Sequence, residues 1–153
     1  FPEPESLLSR SGTILGLDGN KMSKSRGNTI ELGMTADETA RLLKRAVTDS
    51  DRHITYDPVN RPEVSNLVNI AAMCLERVPE DVAEEIGDGG GGGLKKLATA
   101  AVNDHFAAHR ARRAELMADP GALRDVLRAG NERANAVAET TLAEVRQAMS
   151  MDY

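Results

Sequence analysis

The sequence holds a single cysteine, Cys74, in 153 residues. One cysteine excludes an internal disulfide framework and a multi-cysteine zinc site, and it fits a chain kept in a reducing cytoplasm. No apolar run approaches the roughly 20 residues that cross a membrane as a helix, and the opening residues carry no signal-peptide pattern. Positive charge is not in excess: 19 Lys and Arg stand against 24 Asp and Glu, a formal net charge of −5. The chain as a whole is no polycation, so any nucleic-acid surface must be a local patch.

What is present is ordinary for a globular protein, with 41% hydrophobic and 28% charged residues. The length suits one domain, or one and a fraction. Phe1 stands where an initiator Met would, and Pro2 and Pro4 make the first residues extended. The expectation is a chain that enters in the middle of a larger fold, as a C-terminal fragment.

The most informative stretch is Lys21-Met22-Ser23-Lys24-Ser25, followed by Arg26-Gly27-Asn28. Gly16 and Asp18-Gly19 precede it, so glycine on both sides predicts a mobile loop rather than a regular element. Two ammonium groups, two hydroxyls and the loop N–H groups suit a polyphosphate whose charge grows during a reaction. A solvated Lys/Ser surface loop is the plain alternative. Upstream, Thr13-Ile14-Leu15 between Gly12 and Gly16 suits a short strand running into the loop. Strand, turn and phosphate loop then follow in the order of an α/β nucleotide site.

Beyond the loop the periodicity is helical. Thr35-Ala36-Asp37-Glu38 is a capping box, predicting a helix over 36–47. Val64, Leu67, Val68, Ala71 and Cys74 mark a second over 63–76, with Cys74 a small hydrophobe on its apolar stripe. Pro79 opens a short acidic helix. The run Gly89–Gly93 reads either as a linker or as a tight turn, and a mobile loop within one domain is the expectation. Leu94 is expected to open the longest helix, to about 118. Asp119-Pro120 starts the next, with Leu123, Val126 and Leu127 inside and Gly130 as its stop. A last helix follows, with Val137, Thr141 and Val145 on one stripe. No internal repeat is evident. The fold expected is mainly α: a helical bundle preceded by one strand and the lysine loop.

Between Leu94 and Arg113 lie five basic side chains and one acid, Asp104. Lys95, Lys96, Arg110 and Arg113 are expected on the side of the helix away from Leu94, Leu97 and Ala101, so packing would not explain their charge. This basic island is either a nucleic-acid contact or a solvated face. His105 and His109 are one helical turn apart, a spacing that can hold zinc, but no third ligand is evident and no metal site is assigned.

Lys21–Ser25 spells KMSKS and resembles the signature of class I aminoacyl-tRNA synthetases. The stretches around and after it resemble the tryptophanyl-tRNA synthetase family in order: Gly16–Ser25, Ala46-Val47-Thr48-Asp49-Ser50, Ile54-Thr55-Tyr56-Asp57, Val64–Ile70 and Gly130–Asn135. The likeness covers nearly the whole chain. It departs in lacking a His-x-Gly-His motif, since His53, His105 and His109 lie elsewhere, and in the uniform five-glycine run.

The resemblance implies residues 1–30 as the end of a Rossmann catalytic domain and residues 31–153 as an α-helical anticodon-binding domain. It implies a parent enzyme in the cytoplasm that activates tryptophan with ATP and Mg²⁺ and passes it to tRNA(Trp), with a homodimer for the full-length protein. Lys24, and after it Lys21, would stabilise the leaving pyrophosphate. Ser23 and Ser25 would donate to phosphate or hold the loop, and Met22 would anchor it by packing. Backbone groups near Gly12 to Ile14 would meet the adenine. Lys95, Lys96, Arg110 and Arg113 are the candidates for tRNA. The fragment alone would be inactive. The alternatives are a free-standing helical tRNA-binding module without catalysis, or another class I synthetase such as the tyrosine enzyme.

Overall fold

The computed structural model describes residues 3–7 and 13–151. It divides into two compact units, Phe1–Arg110 and Ala111–Tyr153.

Helix α1, Ala36–Arg45, begins at the expected capping box. The Glu38 N–H donates to Thr35 Oγ1 at 3.2 Å, and the Thr35 N–H donates to Glu38 Oε2 at 2.8 Å. Two otherwise orphaned donors are thereby satisfied, and the Thr35 N–H holds the Glu38 carboxyl below its usual range. Helix α2, Pro62–Leu75, has proline at its start, where a missing N–H costs nothing. It buries Val64, Leu67, Val68, Ala71 and Ala72. Helix α3, Pro79–Ile86, starts the same way and buries Val82 and Ala83. In this unit α2 packs on α3 and on helix α4, Gly90–His105, and α1 also packs on α4. Leu43, Leu67, Val82, Leu94 and Val102 fill the space between them and are essentially inaccessible to water. Cys74 packs at the edge of this core, where burial raises its thiol pKa, as expected of a small hydrophobe.

Four expectations are corrected. The glycine run is no loop: Gly87–Gly89 is a 3-10 turn, and Gly90–Gly93 form the first turn of α4, Gly90–His105. Contact selects glycine here. Gly90 sits at φ +65, and a Cβ on Gly91 would lie 2.7 Å from Thr48 Oγ1, so the residues allow α4 to begin against the 46–52 segment. The long helix expected from Leu94 breaks at Phe106, giving α4 and then α5, Ala107–Ala118. Phe106 turns against the core there, while its N–H still reaches the Val102 carbonyl.

The third correction concerns the end of the chain. The longest helix is α6, Pro120–Ala148, 29 residues that run straight through Gly130. A glycine inside a helix costs about 1 kcal/mol relative to alanine, too little to end one capped as well as this. The cap is the Asp119 carboxylate accepting from the Ala122 N–H at 3.1 Å, ahead of Pro120. Val126 and Leu127, expected inside, are each 67% exposed, and α6 buries no residue.

Thr13-Ile14-Leu15 forms no strand. Among the described residues the sole β pairing in this region is one antiparallel bridge, Leu15 with Lys21. The carboxamide of Asn66, from α2, takes the place of a neighbouring strand at Leu15. Its Oδ1 accepts from the Leu15 N–H at 2.9 Å, and its Nδ2 donates to the Leu15 carbonyl at 3.0 Å. No described helix is long and apolar enough to cross a membrane.

Candidate phosphate loop

The lysine loop grows from the Leu15–Lys21 bridge. Gly16 donates its N–H to the Asn20 carbonyl at 2.8 Å, and Gly19 returns to the Gly16 carbonyl at 3.0 Å. This tight turn puts Gly19 at φ +78, a region that L side chains rarely adopt. Asp18 Oδ1 accepts from the Asn20 N–H at 3.1 Å, an Asx turn of the kind the Asp-Gly pair predicts.

Ser23 is extended, Lys24–Arg26 form one 3-10 turn, and Gly27 closes it at φ +62 with its N–H on the Lys24 carbonyl. Lys21, Lys24, Ser25 and Arg26 are exposed. Among the described residues none of the three cations has an acid partner. The Ser23 and Ser25 hydroxyls lie 2.8 Å apart and bond each other. The loop therefore presents three unneutralised cations and two hydroxyls on one short segment, an arrangement that suits an anion with several oxygens.

Met22 lines an apolar cavity of about 150 Å³ with Ile14, Ile30, Ile70, Cys74 and Phe106. It remains 41% exposed. On another side Arg26 and Arg45 border a concavity of about 200 Å³ together with Asp18 and Asn28. Thr13 and Ile14 lie at the start of the loop; Gly12, named with them as an adenine contact, falls outside the described residues.

Lys95 and Lys96 line an open groove of about 810 Å³ with Lys44, Thr48, Gly91 and Gly92. Arg113 belongs to the second unit. Arg110 is not a spare charge, and that expectation is corrected. Its guanidinium donates to the Met34 carbonyl at 3.0 Å, to Thr39 Oγ1 at 3.0 Å and to Asn103 Oδ1 at 3.0 Å. Sequence periodicity cannot see the first two partners, because Met34 and Thr39 lie 76 and 71 residues away. His105 and His109 flank the Phe106 ring edge-on. The described residues contain no group of three His, Cys, Asp or Glu placed to hold a metal.

The motif stretches downstream of the loop act as its support. Val47 donates its N–H to the Leu17 carbonyl at 2.8 Å, joining the end of α1 to the loop. Arg61 grips both oxygens of Asp49 at 2.7 and 2.8 Å, and reaches the His53 carbonyl and Thr55 Oγ1. The Arg61 bonds hold the Asp49 carboxyl below its usual range. Ser65 Oγ accepts from the Asp57 N–H at 2.8 Å. Asn28, Arg61 and Asn66 are the residues whose work sequence reasoning missed. For Asn66 a signal existed: an amide among the apolar residues of a helix that must be buried needs partners.

Comparison with known proteins gives the class first. Residues 1–107 match the model of the class I tRNA synthetases of the tryptophan and tyrosine type, and the chain belongs to that family. Within it, several matching relatives are tryptophan enzymes. The chain is 38% identical over 151 residues to the tryptophan–tRNA ligase of Thermosynechococcus vestitus, which covers 95% of this chain and 46% of that protein. It is 36% identical over 152 residues to the tryptophan–tRNA ligase of a Nostoc strain. Among solved structures, the tryptophanyl-tRNA synthetase of Campylobacter jejuni in complex with ADP and tryptophan superposes with a TM-score of 0.68 at 26% identity, over 90% of this chain and 43% of that one. The chain thus spans about half the length of the relatives it matches.

Proposed function

We propose that the chain is the C-terminal part of a cytoplasmic tryptophan–tRNA ligase. Residues 1–30 would close the nucleotide-binding domain and residues 31–153 would form the anticodon-binding domain. The observation that carries this reading is the exposed pair Lys21 and Lys24 on a braced loop without acid partners, in a chain similar to tryptophan enzymes over 95% of its length.

In the full-length protein the tryptophan carboxylate attacks the α-phosphate of ATP. The adenylate forms, pyrophosphate leaves, and the terminal ribose hydroxyl of tRNA(Trp) then takes the acyl group as AMP departs. Negative charge grows on the β,γ-phosphates as the first bond breaks. Lys24 and Lys21 stabilise it there, and Ser23 and Ser25 exchange their mutual bond for bonds to phosphate oxygens. The described residues offer donors here and no carboxylate cluster, so Mg²⁺ would arrive with the nucleotide, neutralising phosphate charge, rather than in a cage built by this segment. Partners of the full-length protein are tRNA(Trp) and a second copy of itself.

The test is tryptophan-dependent ATP–pyrophosphate exchange. The full-length protein should show it and this chain alone should not, because the groups that grip the α-phosphate and the indole would lie in the part of its relatives that this chain does not span. Exchange by this chain alone would refute the division of labour. Its absence from the full-length protein, with tRNA binding retained, would establish a binding module instead.

Lys95 and Lys96 are assigned to the tRNA backbone together with Lys44, and Arg113 to the same partner from the second unit. Arg110 is assigned a structural role first. Lys95→Ala with Lys96→Ala in the full-length protein should weaken tRNA(Trp) binding by about tenfold and lower the salt slope by about 2. Arg110→Ala should lower thermal stability instead. Titration of tRNA at two salt concentrations checks this, and an unchanged slope in the lysine variant would return the groove to ordinary surface.

A further inference from the structure

The lysine loop is exposed, yet it is organised around one buried side chain. Asn28 is 5% exposed, whereas Lys21, Met22 and Lys24 to Gly27 are all exposed. Its Oδ1 accepts from the Ser23 N–H at 2.8 Å. Its Nδ2 donates to Asp18 Oδ1 at 2.7 Å and to the Lys21 carbonyl at 3.2 Å. Its backbone carbonyl accepts from the Leu17 N–H at 2.9 Å, and Leu17 in turn receives Val47. One planar amide thus ties both flanks of Met22 to the turn before the loop. Gly16 makes room for it, since a Cβ there would lie 2.2 Å from Asn28 Nδ2.

We propose that Asn28 is the positioning residue of the lysine loop: its carboxamide fixes the backbone of Lys21 and Ser23 from within, so that both lysines are presented to phosphate from a preset loop. An amide is required because the two ends do opposite work, one accepting an N–H and the other donating to a carbonyl and a carboxylate. Aspartate would lose the donor and set a second negative charge against Asp18. Asp18 is suited to its part, since the Asn28 amide and the Asn20 N–H hold its carboxyl below the usual range and so ionised at neutral pH. Preorganisation of this kind acts on the chemical step more than on binding of the remote amino acid. The consequence for catalysis rests on the function proposed above; the positioning itself does not.

The experiment is Asn28→Ala in the full-length protein, with hydrogen exchange resolved to single amides. Exchange at the Ser23 N–H should quicken about tenfold, while the Leu17 N–H, bonded to the retained backbone carbonyl, should stay within about twofold. The kcat of pyrophosphate exchange should fall about tenfold with the tryptophan KM unchanged. Asp18→Ala removes an exposed partner of Asn28 together with the Asx-turn bond from the Asn20 N–H, leaves the Asn28 bond to Ser23 in place, and should give a smaller change of the same pattern, which keeps the test decisive where Asn28→Ala folds poorly. Unaltered exchange at Ser23 in both variants would overturn the proposal. Equal quickening at Leu17 would also overturn it, because Asn28 would then stabilise the fold as a whole. Local loosening with unchanged kcat would remove the catalytic role. Should the unmutated full-length protein show no pyrophosphate exchange, the functional reading fails, and the amide rates still decide whether Asn28 sets the loop.

Discussion

Lys24→Ala in the full-length protein should slow tryptophan-dependent pyrophosphate exchange by about 10²- to 10³-fold, the usual cost of removing one donor from a developing anion. The tryptophan KM should change far less. The ammonium has no carboxylate partner among the described residues and lies on an exposed turn, so no fold interaction is lost with it. What is lost is an attraction that strengthens as charge moves onto the leaving phosphates, which appears in kcat. Lys21→Ala should show the same sign with a smaller size. Steady-state exchange kinetics over a range of tryptophan concentrations are the measurement. A raised KM with unaltered kcat would mean that the loop binds the ground state, and the role of Lys24 as assigned would fall.

Asn66→Ala should cost about 2–3 kcal/mol of stability, because it removes two hydrogen bonds and leaves both polar groups of Leu15 without their partner. Asn66 is 8% exposed and lies on α2 between the buried Ser65 and Leu67. Its amide reaches Leu15 across 51 residues of sequence. The loop departs from Leu15, so the loss should also free the segment that leads into it. Chemical denaturation of the variant beside the parent protein reports the difference. A loss below about 1 kcal/mol would mean that water takes over both bonds at Leu15 at little cost.

Several helix starts and the turn that opens the cationic loop were legible in the residues themselves, because the interactions that fix them are short in sequence. Thr35 and Glu38 cap each other within one turn, Pro62 and Pro79 open helices from their first position, and Asp18-Gly19 makes its own turn. The cationic string Lys21–Lys24 likewise states its chemistry without a neighbour. The same local rules misjudged Gly89–Gly93, Phe106 and Gly130. At Gly91 the contact with Thr48 outweighs the flexibility of glycine. Phe106 leaves the helical line to meet the core, and Gly130 alone is too weak a break for a well-capped helix.

By itself, the sequence determined the helical character, the capped starts, the cationic character of the loop and the family resemblance, since each follows from residues within a few positions of one another. The tertiary structure alone decided which polar side chains are spent on the fold. It turned Arg110 from a surface charge into a tie between residues 34–39 and 103, made Asn66 the partner of Leu15, and placed the Asn28 amide inside a loop whose lysines remain free. The first two assignments depend on groups brought together from distant parts of the chain, and the third on burial that the sequence does not show, where an amide or guanidinium must find every partner that water no longer supplies.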